Sequence, residues 1–139
     1  MAVFQGPYAY ISPSWYPTKR EHGKVVPTWN YAVVHAQGMP RAIEDPAWLL
    51  AHVTEMVHTH EATTGGTPWQ VSDAPADYID GMVKAIVGIE IPISRLSGKW
   101  KVSQNRPAVD KPAIADALDA RGGDDARGMA ELIRQRMAE

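Results

Sequence analysis

The chain of 139 residues contains no cysteine. That excludes a disulfide scaffold, a thiolate zinc site and a thiol nucleophile. It has no apolar run close to the ~20 residues needed to span a bilayer. The first 18 residues carry no charge, but Pro7, Pro13 and Pro17 interrupt them and no basic start precedes them. No signal peptide is read there, and the cytoplasm is the expected compartment. An excess of base is missing too. The 14 Lys+Arg face 16 Asp+Glu, and the pI is near 6.2, against the profile of a general nucleic-acid binder. The chain also lacks a His-Glu-x-x-His pair, a Gly-x-Ser-x-Gly elbow, a P-loop and a Rossmann glycine pattern. His58 and His60 stand two apart on a helical stretch and do not face each other, so no metal site is expected. No nucleophile pairs with a base, and no catalytic residue is assigned.

What is present fits one soluble globular domain, with 45% apolar and 22% charged residues. The distribution is uneven. All five Trp and all five Tyr lie within residues 1–100, and the last 39 residues hold no aromatic. Arg95, Lys99, Lys101 and Arg106 form a stretch without acid, while Glu44, Asp45, Glu55 and Glu61 form one without base.

Periodicity gives a coarse outline. Val3–Gln5 and Tyr8–Ile11 read as strand pieces around a Gly6-Pro7 break. Residues 12–22 read as a turn-rich loop. Residues 27–36 read as a strand, with Trp29, Tyr31, Val33 and His35 on one face and Thr28, Asn30, Ala32 and Val34 on the other. Arg41–Ile43 is a short strand. Asp45-Pro46 starts a helix, a side-chain cap followed by proline where the missing N–H costs nothing. Asp73 with Pro75 starts a second. Residues 86–94 alternate and predict a half-buried strand, which Pro92 places at an edge or bulge. Gly98 separates it from another strand, Lys99–Ser103. Two helices, about 107–120 and 124–138, close the chain around Gly122-Gly123. The sum is an α+β chain, mainly β with helices, built on a small antiparallel barrel or sheet. Residues 1–106 form the barrel domain and 107–139 a C-terminal helical extension of the same domain.

Three stretches could carry chemistry. On a strand, Lys99, Lys101, Ser103 and Asn105 share one face. Two ammonium groups, a hydroxyl and an amide suit a phosphate. The same pattern also suits a solvated edge strand protected by lysine. In Thr28-Trp29-Asn30-Tyr31, two rings flank an amide, as a planar heteroaromatic ligand would require. The same rings could instead fill a core. Ser12–Pro17 is an aromatic corner on a stiff loop, either a ligand wall or a packing plug. The C-terminal helix pair has the shape of a helix-turn-helix, but residues 107–139 carry seven acids against five bases. An αα-hairpin docked on the barrel or on a partner subunit fits that charge better.

Taken together, three segments resemble signatures of one family. They are Phe4-Gln5-Gly6-Pro7 through Ser14-Trp15-Tyr16, Val26-Pro27-Thr28-Trp29-Asn30-Tyr31 through His35, and Gly98-Lys99 with Lys101-Val102-Ser103-Gln104-Asn105-Arg106. The chain resembles the FMN-binding negative transcriptional regulators, the PaiB-like family, over about residues 3–107. The resemblance implies an FMN-binding split barrel, a homodimer with the flavin between subunits, and a bacterial transcriptional repressor with DNA as a partner. From the residues themselves, no membrane partner and no metal are expected. Carried over by position, the flavin site comprises Ser14, Trp15 and Tyr16; Thr28, Trp29, Asn30 and Tyr31; and Lys99, Lys101, Ser103, Gln104, Asn105 and Arg106. Family members begin with a further segment before the Phe-Gln-Gly-Pro signature. An N-terminally truncated barrel, or one completed by another subunit, is therefore expected. The same fold also serves flavin reductases and pyridoxamine phosphate oxidases, so an FMN-dependent oxidoreductase is the alternative. A third reading is an apo fragment acting only through protein interaction.

Overall fold

The computed structural model describes residues 1–138. In chain order its elements are β1 (Ala2–Ile11), α1 (Lys19–His22), β2 (Thr28–Gly38), β3 (Arg41–Ile43), α2 (Pro46–Glu61), α3 (Ala76–Val83), β4 (Gly88–Glu90), β5 (Ile93–Lys101), α4 (Asp110–Arg121) and α5 (Asp124–Gln135). A short 3-10 turn, Pro13–Trp15, follows β1. The class is α+β with antiparallel sheets, and helix (42%) outweighs strand (26%). The strands make a three-stranded sheet, β1-β2-β5, and a two-stranded ladder, β3-β4. No closed barrel forms among the described residues.

The chain divides into two compact units, residues 38–93 and the remainder. In the larger unit, β1 and β2 pair antiparallel, with Ala9 opposite Asn30 and Tyr10 opposite Trp29. Gly6-Pro7 does not end the strand. It produces a bulge between Gln5 and Tyr8 that shifts the register by one residue. The shift sends Ala9 and Ile11 inward with Asn30 and Thr28. Tyr8 and Tyr10 then stand outward with Trp29 and Tyr31. β5 runs against β2, since Ser94 Oγ donates to Gln37 O while Lys101 Nζ reaches Thr28.

Helices α4 and α5 cover the inner face. Ala126, Met129, Ala130 and Ile133 recur at helical spacing and are buried with Ile114, Leu118, Ile11 and Val102. Gly128 lets α5 approach the β1 bulge, because a Cβ there would sit 2.8 Å from the Pro7 ring. Gly122, in the left-handed region at φ 74°, ends α4 as its sequence position predicts.

In residues 38–93, Asp45 caps α2 through its carboxylate, which accepts the Ala47 N–H at 3.0 Å. Leu49 on α2 and Val83 on α3 are buried. Gly88 on β4 lies directly under the Trp48 ring, and an Arg41–Glu90 ion pair closes the β3-β4 ladder.

Two strand boundaries differ from the periodicity reading. The strand expected over 86–94 is split: β4 ends at Glu90 and β5 begins at Ile93, so Pro92 interrupts it rather than edging it. Gly98 does not separate two strands. It lies inside β5, where the Trp100 ring packs over its bare backbone. The strand then stops at Lys101, and Ser103 (φ 60°) turns the chain out of extended geometry. Ser103 and Asn105 therefore do not extend a strand face shared with Lys99 and Lys101.

Candidate functional site

The segment Lys101-Val102-Ser103-Gln104-Asn105-Arg106 builds a turn largely by its own side chains. Gln104 Oε1 accepts the Val102 N–H and Gln104 Nε2 donates to Trp100 O, each at 2.8 Å. These bonds satisfy backbone groups that the end of β5 would leave unpaired. The Arg106 N–H donates to Ser103 O at 3.0 Å and closes the turn. Ser103 takes up positive φ, unusual for a residue with a Cβ, and its hydroxyl accepts from Asn30 Nδ2 at 2.8 Å.

The turn meets both other motifs. Lys101 Nζ donates to Thr28 Oγ1 at 2.6 Å, and the Asn30–Ser103 bond lies next to it, wholly buried. The Arg106 guanidinium sits 4.7 Å from the centroid of the Tyr16 ring, a cation–π contact. Tyr16 is 2% exposed, yet its Oη has no hydrogen-bond partner among the described residues. Burial, the larger effect, pushes the phenol above its ordinary 10.0, with Arg106 opposing and Asp110 reinforcing the shift. Asp110, at the start of α4, is buried. Its two oxygens accept from Thr18 N–H (3.1 Å) and Thr18 Oγ1 (2.8 Å), which ties the Ser14–Tyr16 loop to the helix.

The opposite face of the sheet is an aromatic shelf. Trp29 is 53% exposed. Its ring stacks on Tyr8 (6.1 Å, 28°) and meets Tyr10 edge-on (5.8 Å, 71°). Gln5, Tyr8, Trp29, Asn30 and Tyr31 line an open depression of about 480 Å³. Trp29 and Tyr31 are thus not core packing of a barrel. The small residues Ala32 and Ala36, with Asn30, take the buried side of β2 instead. Gln5, Tyr8 and Tyr10 belong to this shelf and lie outside the expected site residues. Their signal was two tyrosines at strand spacing just after a Gly-Pro bulge.

Nine of the thirteen expected site residues therefore fall into two groups. Trp29 and Tyr31 lie on the open shelf. Tyr16, Thr28, Asn30, Lys101, Ser103, Gln104 and Arg106 form the seam and turn on the helix-covered side. Trp15 is half-buried against the core, and Ser14, Lys99 and Asn105 are exposed. A flavin mononucleotide needs an aromatic platform and a cationic, hydrogen-bonding phosphate site. The donor set fits both needs, because the rings are accessible and the turn carries Lys, Ser, Gln, Asn and Arg. The unpartnered Tyr16 hydroxyl is a further donor. Charge agrees: the larger unit holds 12 Lys+Arg against eight acids, whereas residues 38–93 hold two against eight.

Among the described residues no helix is long and apolar enough to cross a membrane. Nor does any group of three His, Asp or Glu among them suit a metal ion.

Comparison with known proteins gives consistent matches. A family described as "Putative FMN-binding domain" matches residues 1–95. An uncharacterised protein of Emericella nidulans is 38% identical over 98% of this chain and 58% of its own length. One of Aspergillus fumigatus is 36% identical over the same shares, 98% and 58%. The "Protease synthase and sporulation protein PAI 2" of Bacillus subtilis is 33% identical over 99% of this chain and 63% of its own length. The chain spans about three-fifths of the length of these relatives.

Proposed function

Because the chain belongs to the PaiB-like family of FMN-binding domains, whose cofactor is FMN, we propose that it is a flavin-holding regulator. The observation that carries this reading is the exposed stack of Tyr8, Tyr10 and Trp29. Three large rings held open on one sheet face are a poor surface for water and a good one for a planar heterocycle. Trp29, Tyr8 and Tyr31 would hold the ring system, with the Gln5 amide at its edge. Lys99, Lys101, Asn105 and Arg106 would hold the phosphate, with Ser103 shaping the turn that carries them. When bound, FMN supplies a group that accepts and returns electrons.

The platform and the turn occupy opposite faces of β2, which favours a homodimer in which one chain's shelf completes the site with its partner's turn. β1 and β5 are open sheet edges, and Val3, Ile93 and Leu96 are exposed on them. The Bacillus subtilis relative is named for protease synthesis and sporulation. A repressor role by analogy places this chain in gene regulation, with DNA reached by the assembled protein. The acidic balance of the α4–α5 pair does not favour those helices as a phosphate-contacting element.

Titrating FMN into purified protein, with the solution mass followed in parallel, tests the reading. Saturable quenching of flavin emission together with a dimer mass is expected. A monomer with unchanged flavin emission overturns it. Steady oxidation of a reduced nicotinamide by the flavin-loaded protein would instead place it with flavin reductases.

A further inference from the structure

Residues 38–93 contain a second cavity, of about 780 Å³, lined by none of the flavin-site residues. It lies between α2, the segment 68–74 and α3. That volume accommodates a ligand of drug size. Leu50, Val57, Val71 and Ile79 supply apolar wall, and Trp69, 44% exposed, supplies an indole.

The charge on the walls has one sign. Glu61 and Asp80 line the cavity, and no lysine or arginine does. His58 is the other titratable group there. Glu61 is anchored: its Oε2 accepts the Trp69 N–H at 3.0 Å and lies 3.5 Å from Thr64 Oγ1. Its Oε1 carries no hydrogen bond among the described residues. A fixed carboxylate with accepting capacity thus stands beside an accessible indole. The surrounding unit deepens the negative field, with eight acids against Arg41 and Lys84.

An apolar wall, an indole face and an unneutralised carboxylate together select one ligand chemistry. The wall takes hydrocarbon, the indole takes a cation over its face, and the carboxylate takes positive charge. We propose that this cavity binds a small hydrophobic cation, an amine or quaternary onium group on an aromatic or branched aliphatic body. No residue of the flavin shelf lines it.

Tetraphenylphosphonium and tetraphenylborate share shape and size and differ in charge. Calorimetric titration of each into the full chain in sodium buffer tests the proposal. The cation binds and the borate binds at least tenfold more weakly. Glu61→Gln and Asp80→Asn each weaken the cation at least threefold and do not weaken the borate. Asp80 is exposed on α3, so its variant carries the test if Glu61→Gln disturbs the end of α2. Saturating FMN leaves cation binding unchanged. Equal binding of the two ions, no binding of the cation at millimolar concentration, or displacement of the cation by FMN would each overturn the proposal.

Discussion

Tyr16 spends a buried hydroxyl on nothing among the described residues, and that cost should be measurable. A buried donor without a partner costs about 1–3 kcal/mol. Tyr16→Phe keeps the ring under Arg106 and removes the orphan, so the flavin-free protein should gain about 1 kcal/mol, read as a higher Tm. The phenol's raised pKa also has a sign. The neutral form is favoured in the folded state, so its contribution is complete below 10.0 and is lost as pH climbs through the raised value. Alkaline unfolding should therefore move to higher pH in Tyr16→Phe. Asp110 works the other way, since both its oxygens are in use. Asp110→Ala strands the Thr18 N–H and hydroxyl and should cost about 3 kcal/mol in denaturant titration. Lys99 is exposed and makes no side-chain bond among the described residues, so Lys99→Gln should leave stability within about 0.5 kcal/mol. It should weaken FMN several-fold while leaving riboflavin, which lacks the phosphate, unchanged.

At the scale of elements, the contact between α5 and the β1 bulge decides how the C-terminal helices sit. Gly128 is a poor helix former, retained where the Pro7 ring leaves no room for a side chain. Gly128→Leu raises helix propensity yet should destabilise by about 2 kcal/mol or more through overpacking, seen as a fall in Tm. The same elements show what was legible beforehand. The Asp45-Pro46 cap, the Gly122-Gly123 break and the faces of β2 were readable because each rests on local stereochemistry or a period of two. The end of β5 was not. Trp100, Lys101, Val102 and Ser103 keep a strand-like alternation, while the local bonds of Gln104 and the remote bond of Asn30 turn the chain. Gly98 misleads for a related reason, since its bare backbone serves a ring two residues away rather than a turn. The three site motifs were visible as segments. That Tyr8 and Tyr10 join Trp29 on the outer face depends on the one-residue bulge at Gly6-Pro7, which no side-chain period announces.

At the scale of the whole molecule, charge and chemistry are segregated together. The unit with the aromatic shelf and the Ser-Gln-Asn-Arg turn is basic, and residues 38–93 are acidic. A phosphate-bearing cofactor and a hydrophobic cation would thus be drawn to different parts of one chain. Flavin holding depends most on the outward rings of β1 and β2. Trp29 is half-exposed and touches Tyr8 and Tyr10, so Trp29→Ala should still fold, at a cost of about 1 kcal/mol for the lost ring contacts. Losing its stacking, worth about 1.4 kcal/mol, should raise the Kd for FMN about tenfold. The decisive measurement is flavin fluorescence in parallel FMN titrations of the native chain and Trp29→Ala. Strong quenching in the first and a tenfold weaker, less quenched complex in the second is the predicted result. Identical curves for the two proteins would contradict it.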